Sequence, residues 1–237
     1  MRKFLTSFAL VGAFALTVAI GVASASHESF TLFGDAEIVT GGNPGNAVQL
    51  RSDADPGFGG IDFDVAAMTF EELESLATDY EFETDDSCGG GSPRFQVNVD
   101  SGTGDTGNIF VYIGPLPNYT GCPPDMWVPT GDLLEGANPI DTSQLDGGTF
   151  YDPYAAAVAK YGDYDVTGVQ LVVDGAWFFA DGEQTVLVDN TDIDGTIYTY
   201  DATKDDCKNG GWMDLVDDDG EAFKNQGDCV SHFARGT

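Results

Sequence analysis

The 237-residue chain sets 40 Asp and Glu against 9 Lys and Arg, a formal charge of −31 at pH 7. A field that negative repels DNA, RNA and anionic lipid headgroups, so nucleic-acid binding is excluded and the partners left are neutral molecules, cations or metal ions. With 42% hydrophobic residues, 12% aromatic residues and 31 glycines, the composition is too apolar for a disordered acidic tail and describes a folded, very acidic protein.

The chain opens on an address. Met1-Arg2-Lys3 supplies positive charge, Phe8 to Val22 is an apolar stretch broken only by Gly and Thr, and Ala23-Ser24-Ala25 is a small-x-small cleavage site. Together they predict a secretory signal peptide over residues 1–25. The competing reading is an uncleaved anchor, because the apolar stretch is nearly long enough to span a bilayer. No basic stop-transfer flank follows it, and no Cys that would carry a lipid. Cleavage removes Arg2 and Lys3 and no acid, which leaves 7 basic residues against 40 acidic ones and a charge of −33. The exported part is expected to be free of the membrane, monomeric, and divided into a β domain over residues 26–203 and an appendage over residues 204–237.

Along that part, residues 30–33, 47–51 and 61–65 are short runs rich in β-branched and aromatic side chains, bounded by Gly, Asn or Asp, and they predict strands. Thr69-Phe70-Glu71-Glu72 then places a capping oxygen three residues before a Glu. This predicts a helix through Ala77 with Phe70, Leu73 and Leu76 on one face. Residues 94–100 form the clearest strand: Phe95, Val97 and Val99 alternate with Gln96 and Asn98, core side against solvent side. Another strand is predicted at 108–113. Asp152 as cap, Pro153 at the first helical position, Ala155 to Lys160 and a terminating Gly162 predict a second helix. Strands at 167–174, 184–189 and 196–201 follow. Eight or nine short strands with turn signals between them predict an all-β, two-layer antiparallel sandwich interrupted by two short helices.

Cys88, Cys122, Cys207 and Cys229 all lie in the exported part, where disulfides persist. Of three possible pairings, Cys88 with Cys122 and Cys207 with Cys229 is expected, because each pair brackets a Gly-rich loop and long strand patterns lie between the pairs. Loops of this size contribute about 3 to 4 kcal/mol each in the chain-entropy description. No C-x-x-C occurs and His27 and His232 are the only histidines, so structural zinc is not expected.

Cys207-Lys208-Asn209-Gly210-Gly211-Trp212 and residues 223–231, Phe-Lys-Asn-Gln-Gly-Asp-Cys-Val-Ser, flank the acidic run Asp217-Asp218-Asp219. This end resembles a short Cys-bracketed tail found on many secreted bacterial proteins of unassigned function. It reads as a disulfide-closed hairpin packed by Trp212 and Phe223. Phe30-Thr31-Leu32-Phe33-Gly34-Asp35-Ala36 and Val186-Leu187-Val188-Asp189-Asn190 resemble the opening and ending of secreted jelly-roll modules, the carbohydrate-binding and galactose-binding-like sandwiches with concanavalin-like lectins as near relatives. The resemblance implies a jelly-roll β-sandwich, a glycan groove lined by aromatics, and in some members a structural calcium joining early and late strands. Asp189 matches the late acidic position, and Asp35 or Glu37 the early one.

Calcium also has a reading from spacing alone. Asn190, Asp192 and Asp194 before Gly195, with Asp201 at the twelfth position, fit an oxygen-ligand loop. Asp194-Gly195 is equally a favoured hairpin turn, with Ile193, Ile197 and Tyr198 suggesting strands on both sides. For catalysis, no G-x-S-x-G, H-E-x-x-H or phosphate loop is present. A carboxylate-dependent glycoside hydrolase is the enzyme alternative, although no E-x-D-x-x-E strand supports it. Trp127, Trp177, Tyr112 and Tyr119 lie at strand ends or in Gly- and Pro-rich loops, where exposed rings stack on sugar faces or, alternatively, fill the core. The expectation is a secreted, non-catalytic binding protein for a glycan or surface component, with a structural surface protein as the third possibility.

Overall fold

The computed structural model describes residues 29–135, 138–213, 215, 217 and 221–234. The signal-peptide segment lies outside them. Strands β1 (Phe30–Gly42), β2 (Gly45–Ser52) and β3 (Gly59–Phe63) open the fold, and a 3-10 turn at Phe70–Glu72 leads into β4 (Leu76–Phe82). The hairpin of β5 (Arg94–Asp100) and β6 (Thr106–Tyr112) precedes three two-residue strands, β7 (Val128–Pro129), β8 (Pro139–Ile140) and β9 (Asp152–Pro153). Helix α1 (Tyr154–Tyr161) follows, then β10 (Asp165–Val173), β11 (Gln184–Ile193), β12 (Thr196–Tyr198) and, near the end, α2 (Gln226–Phe233).

Pairing is antiparallel throughout these strands, and the sheet folds on itself into the two layers of a jelly-roll β-sandwich. The first layer runs β6-β5-β10-β3-β1 and the second β1-β2-β11-β4-β7, with β12 on the tip of β11. Strand β1 belongs to both: Phe30–Gly34 pairs with β3, and from Asp35 onward it pairs with β2. Gly34 permits the handover. Its φ is +66° and a Cβ there would stand 2.3 Å from the Phe58 carbonyl oxygen, a place no larger residue fits.

Period-2 alternation then fills the space between layers. Phe95, Val97 and Val99, Ile61 and Phe63, and Val169, Leu171 and Val173 point inward from the first layer, and Val48, Leu50, Tyr80, Phe82, Val186 and Val188 answer from the second. The helix expected at residues 69–77 is only the one 3-10 turn. Leu76, Thr78, Tyr80 and Phe82 are buried alternately, so this stretch is strand β4, and the capping box of Thr69 and Glu72 serves a single turn. The second expected helix is present as α1. Its cap is Pro153, however, because the Asp152 carboxylate is spent on the Thr142 hydroxyl and Lys160.

Both expected disulfides are present, Cys88–Cys122 and Cys207–Cys229. The C-terminal tail is helical where a hairpin was expected: a 3-10 segment at Lys208–Met213 is tied to α2, whose Asn225 cap accepts the Asp228 N–H at 3.0 Å. Cys207, Phe223 and Cys229 form a second small core there with Trp212, Leu215, Val230 and Phe233 around it. At the other end of the sandwich Phe30 meets Tyr200 edge-on, 5.1 Å between ring centres. No helix among the described residues is long and apolar enough to cross a membrane.

Candidate binding face

The outward face of the first layer follows from its register. One row runs Tyr112, Arg94, Val172, Gly60, Phe33, and the next runs Phe110, Gln96, Gln170, Asp62, Thr31. Asn108 and Asn98 continue it. These are the solvent-side positions of the alternation that builds the core, yet they carry rings and amides where a solvated face usually carries Lys and Glu.

The polar groups are joined in sequence. Asp174 accepts two hydrogen bonds from the Arg94 guanidinium at 2.6 and 2.7 Å, Arg94 donates to Gln96 Oε1 at 2.9 Å, and Gln96 Nε2 donates to Gln170 Oε1 at 3.1 Å. The Arg94 guanidinium lies 4.9 Å from the Phe110 ring centre, a cation–π contact. Arg94 Nε is the one buried side-chain nitrogen or oxygen among the described residues with no hydrogen-bond partner. At the β1-β3-β10 side the face dips into a hollow of about 360 Å³ bordered by Thr31, Asp62, Asp64, Thr167 and Gly168.

Aromatic side chains gather at the Arg94 end of this face around the turn Gly89-Gly90-Gly91. A Cβ on Gly91 would touch Tyr112 at 3.1 Å, one on Gly90 would reach Trp177 and Phe178 at 3.0 and 2.9 Å, and one on Gly89 would strike Phe178 at 2.5 Å. Three successive glycines thus let rings close on both sides of one turn. Trp177 remains 73% exposed on its 3-10 turn. Tyr112 donates to Asp141 at 2.5 Å, and burial followed by that bond pushes its phenol well above its usual range. Tyr119 packs on Tyr112 at 5.3 Å and stacks on exposed Tyr151.

Three of the four rings singled out from sequence therefore meet here. Tyr112 and Trp177 flank the glycine turn, and Tyr119 lies beneath as a buried support whose hydroxyl donates to the Pro139 carbonyl. Trp127 does not join them; it precedes β7 on the edge of the second layer. Arg94, Gln170, Phe110 and Asp62 were not singled out. Their signal lay in the alternation itself, since each occupies an outward position, but which outward positions sit side by side is set by the β5–β10–β3 pairing.

The six calcium candidates fall in three places: Asp35 on β1, Asp192 and Asp194 at the β11–β12 hairpin, and Asp189, Asn190 and Asp201 near the β1–β2 turn. Asp35 faces Arg51 at 3.8 Å; Asp192 accepts the Ser75 hydroxyl and the Gly195 N–H; Asp194 accepts the Glu74 N–H. Asp194 and Gly195, with φ of +53° and +77°, form the turn of the β11–β12 hairpin. Asp189 is buried opposite Asp79 and takes the N–H groups of Asn43 and Asn190, the Asn190 side chain bonds to Asp79, and Asp201 takes the N–H of Asn46. Burial raises the pKa of Asp189, and Asp201 and Asp79 add to the effect. Among the described residues no group of three or more His, Cys, Asp or Glu stands close enough to share a metal ion.

The second layer presents a different surface. Its outward rows hold Glu37, Glu81, Glu83, Asp35 and Arg51, and its hollow is lined by Glu81, Glu83, Asp125 and Leu187. Among the described residues that face carries mainly carboxylates and no exposed ring.

No known protein-family signature matches the chain, and no curated protein does. Among solved structures it is similar to the family 11 carbohydrate-binding module of the cellulosomal cellulase Lic26A-Cel5E of Clostridium thermocellum, at 13% identity and a TM-score of 0.39, over 78% of this chain and 95% of that one. It is also similar to an exo-beta-agarase, at 18% identity and a TM-score of 0.31, over 81% of this chain and a quarter (25%) of the enzyme.

Proposed function

We propose that this is a secreted, non-catalytic glycan-binding protein whose ligand lies across the outward face of the first layer. The observation that carries the reading is the substitution of rings and amides for charge on that face: Phe110, Tyr112 and exposed Trp177 beside the Gln96–Gln170 ladder. Rings stack on the apolar faces of sugars, and planar amides offer donor and acceptor together to neighbouring hydroxyls. The leader segment and two disulfides support export.

Affinity electrophoresis through gels carrying soluble polysaccharides tests this. Retardation is expected in at least one gel. Trp177→Ala and a Gln96→Ala/Gln170→Ala double variant are expected to bind about tenfold more weakly, or about 1.4 kcal/mol, while Glu81→Gln on the second layer binds as the parent does. A protein that no polysaccharide retards, or one weakened by Glu81→Gln and indifferent to Trp177→Ala, rules the reading out.

A further inference from the structure

The cations of the sandwich are all committed. Between Ser29 and Thr203 the chain has three basic side chains, Arg51, Arg94 and Lys160. Arg51 lies among Asp35, Asp53 and Glu183 at 3.8, 3.3 and 2.7 Å, and Lys160 bonds Asp152 at 2.7 Å. Only Arg94 is on the proposed binding face. Its side chain is 13% exposed, and Asp174 cancels its charge through a two-pronged contact. A sulfate or uronate that reached it would have to displace Asp174 and leave that carboxylate unpaired in a half-buried place.

One carboxylate on the same face has no such commitment. Asp62 stands exposed in the middle row between Gln170 and Thr31, and its side chain has no hydrogen-bond partner among the described residues. An anionic glycan would thus meet an uncompensated carboxylate within a field of net charge −31. The hydrogen-bonding groups suit hydroxyls instead. The chain from Asp174 through Arg94 and Gln96 ends on Gln170, whose Nε2 has no hydrogen-bond partner among the described residues. Beside this donor, directly across from Gln170, Asp62 supplies an acceptor for two adjacent hydroxyls.

We propose that the ligand is an uncharged polysaccharide, free of uronate and sulfate, and that Asp62 is a specificity-determining acceptor for its hydroxyls. The proposal rests on the glycan reading above and narrows it. Two panels of polysaccharides, one neutral (glucans, galactans, mannans, xylans) and one anionic (pectate, alginate, sulfated galactans), separate the possibilities at moderate salt. Binding confined to the neutral panel is expected, and it should persist in about 1 M NaCl, where charges are screened beyond about 3 Å. Asp62→Ala is expected to weaken that binding about tenfold with an unchanged melting temperature. Binding to an anionic member overturns the proposal while leaving the glycan reading standing, and an Asp62→Ala variant that binds as well as the parent removes Asp62 from its role. Failure to bind either panel defeats the glycan reading itself.

Discussion

Asp86 is the side chain whose chemistry should register most plainly in solution. It accepts the Thr185 N–H at 2.9 Å, and burial, with Asp181, Glu183 and Glu83 nearby, pushes its pKa up to about 6. In the unfolded chain an aspartate titrates near 4. A raised folded pKa means the folded protein holds its proton more tightly. The resulting stability is complete below about pH 4 and is lost as pH rises through about 6. Asp189 is shifted in the same direction. Melting temperature should therefore rise as pH falls from about 7 to about 5, and Asp86→Asn should flatten that slope. A melting temperature that drops over this window would contradict the assignment. Gly34 offers a sharper test of the backbone: Gly34→Ala places a Cβ against the Phe58 carbonyl at positive φ and should cost roughly 2–4 kcal/mol in denaturant unfolding. Ring type and loop position are local properties, so the sequence points alike to Tyr112, Trp177 and Trp127. Nothing local reveals that the fold brings the first two to one turn and leaves Trp127 at the edge of the second layer.

At the scale of elements, alternation was legible wherever it was strong and uninterrupted. Phe95, Val97 and Val99 in β5 are all buried as the pattern required. Strand β4 escaped because Thr69 and Glu72 carry a genuine helix-start signal immediately upstream, and Leu73 and Leu76 suit a helical face as well as they suit a strand entry. The two-residue strands β7, β8 and β9 have too few positions to show any period. Over Asn190–Asp201, Asp192 and Asp194 accept backbone N–H groups of their own hairpin and of its neighbour, an arrangement that residue spacing alone does not reveal. The C-terminal element has its own core, so its disulfide should act locally. Replacing Cys207 and Cys229 by Ser removes a closure of 22 residues, worth about 3 kcal/mol. Limited proteolysis should then cut within residues 204–234 while the sandwich resists and keeps its melting temperature. Loss of the sandwich transition in that variant would show that the two cores are coupled.

For the whole molecule, the charge of −31 is a statement about surface. The acids crowd the outward rows of the second layer and the turns, while the proposed binding face on the first layer spends its outward positions on rings and amides. Screening should therefore stabilise the fold. Between low salt and about 1 M NaCl the screening length shrinks from well over 10 Å to about 3 Å, and the melting temperature should climb by several degrees. A protein most stable without added salt would mean that its acids are already balanced by local partners. The fold class was legible from strand spacing and alternation. The candidate binding face was only partly so, because its coherence depends on register: Arg94 is a lone basic residue in the sequence, and only pairing across β5 and β10 reveals that it links Asp174 to a row of amides.

The edge-on contact of Phe30 with Tyr200 brings the first and last strand-forming segments of the sandwich side by side. They meet at one end of the first-layer half of β1, Phe30–Gly34, while Phe33 and Gly34 stand at its other end. A unit whose ends adjoin can be spliced into a surface loop of another protein without stretching the host, and domains of this kind tolerate such insertion. Cut between Ser29 and Asp201 and grafted in that way, the sandwich would stand on its joined ends with Tyr112 and Trp177 held away from the host, as a portable cassette.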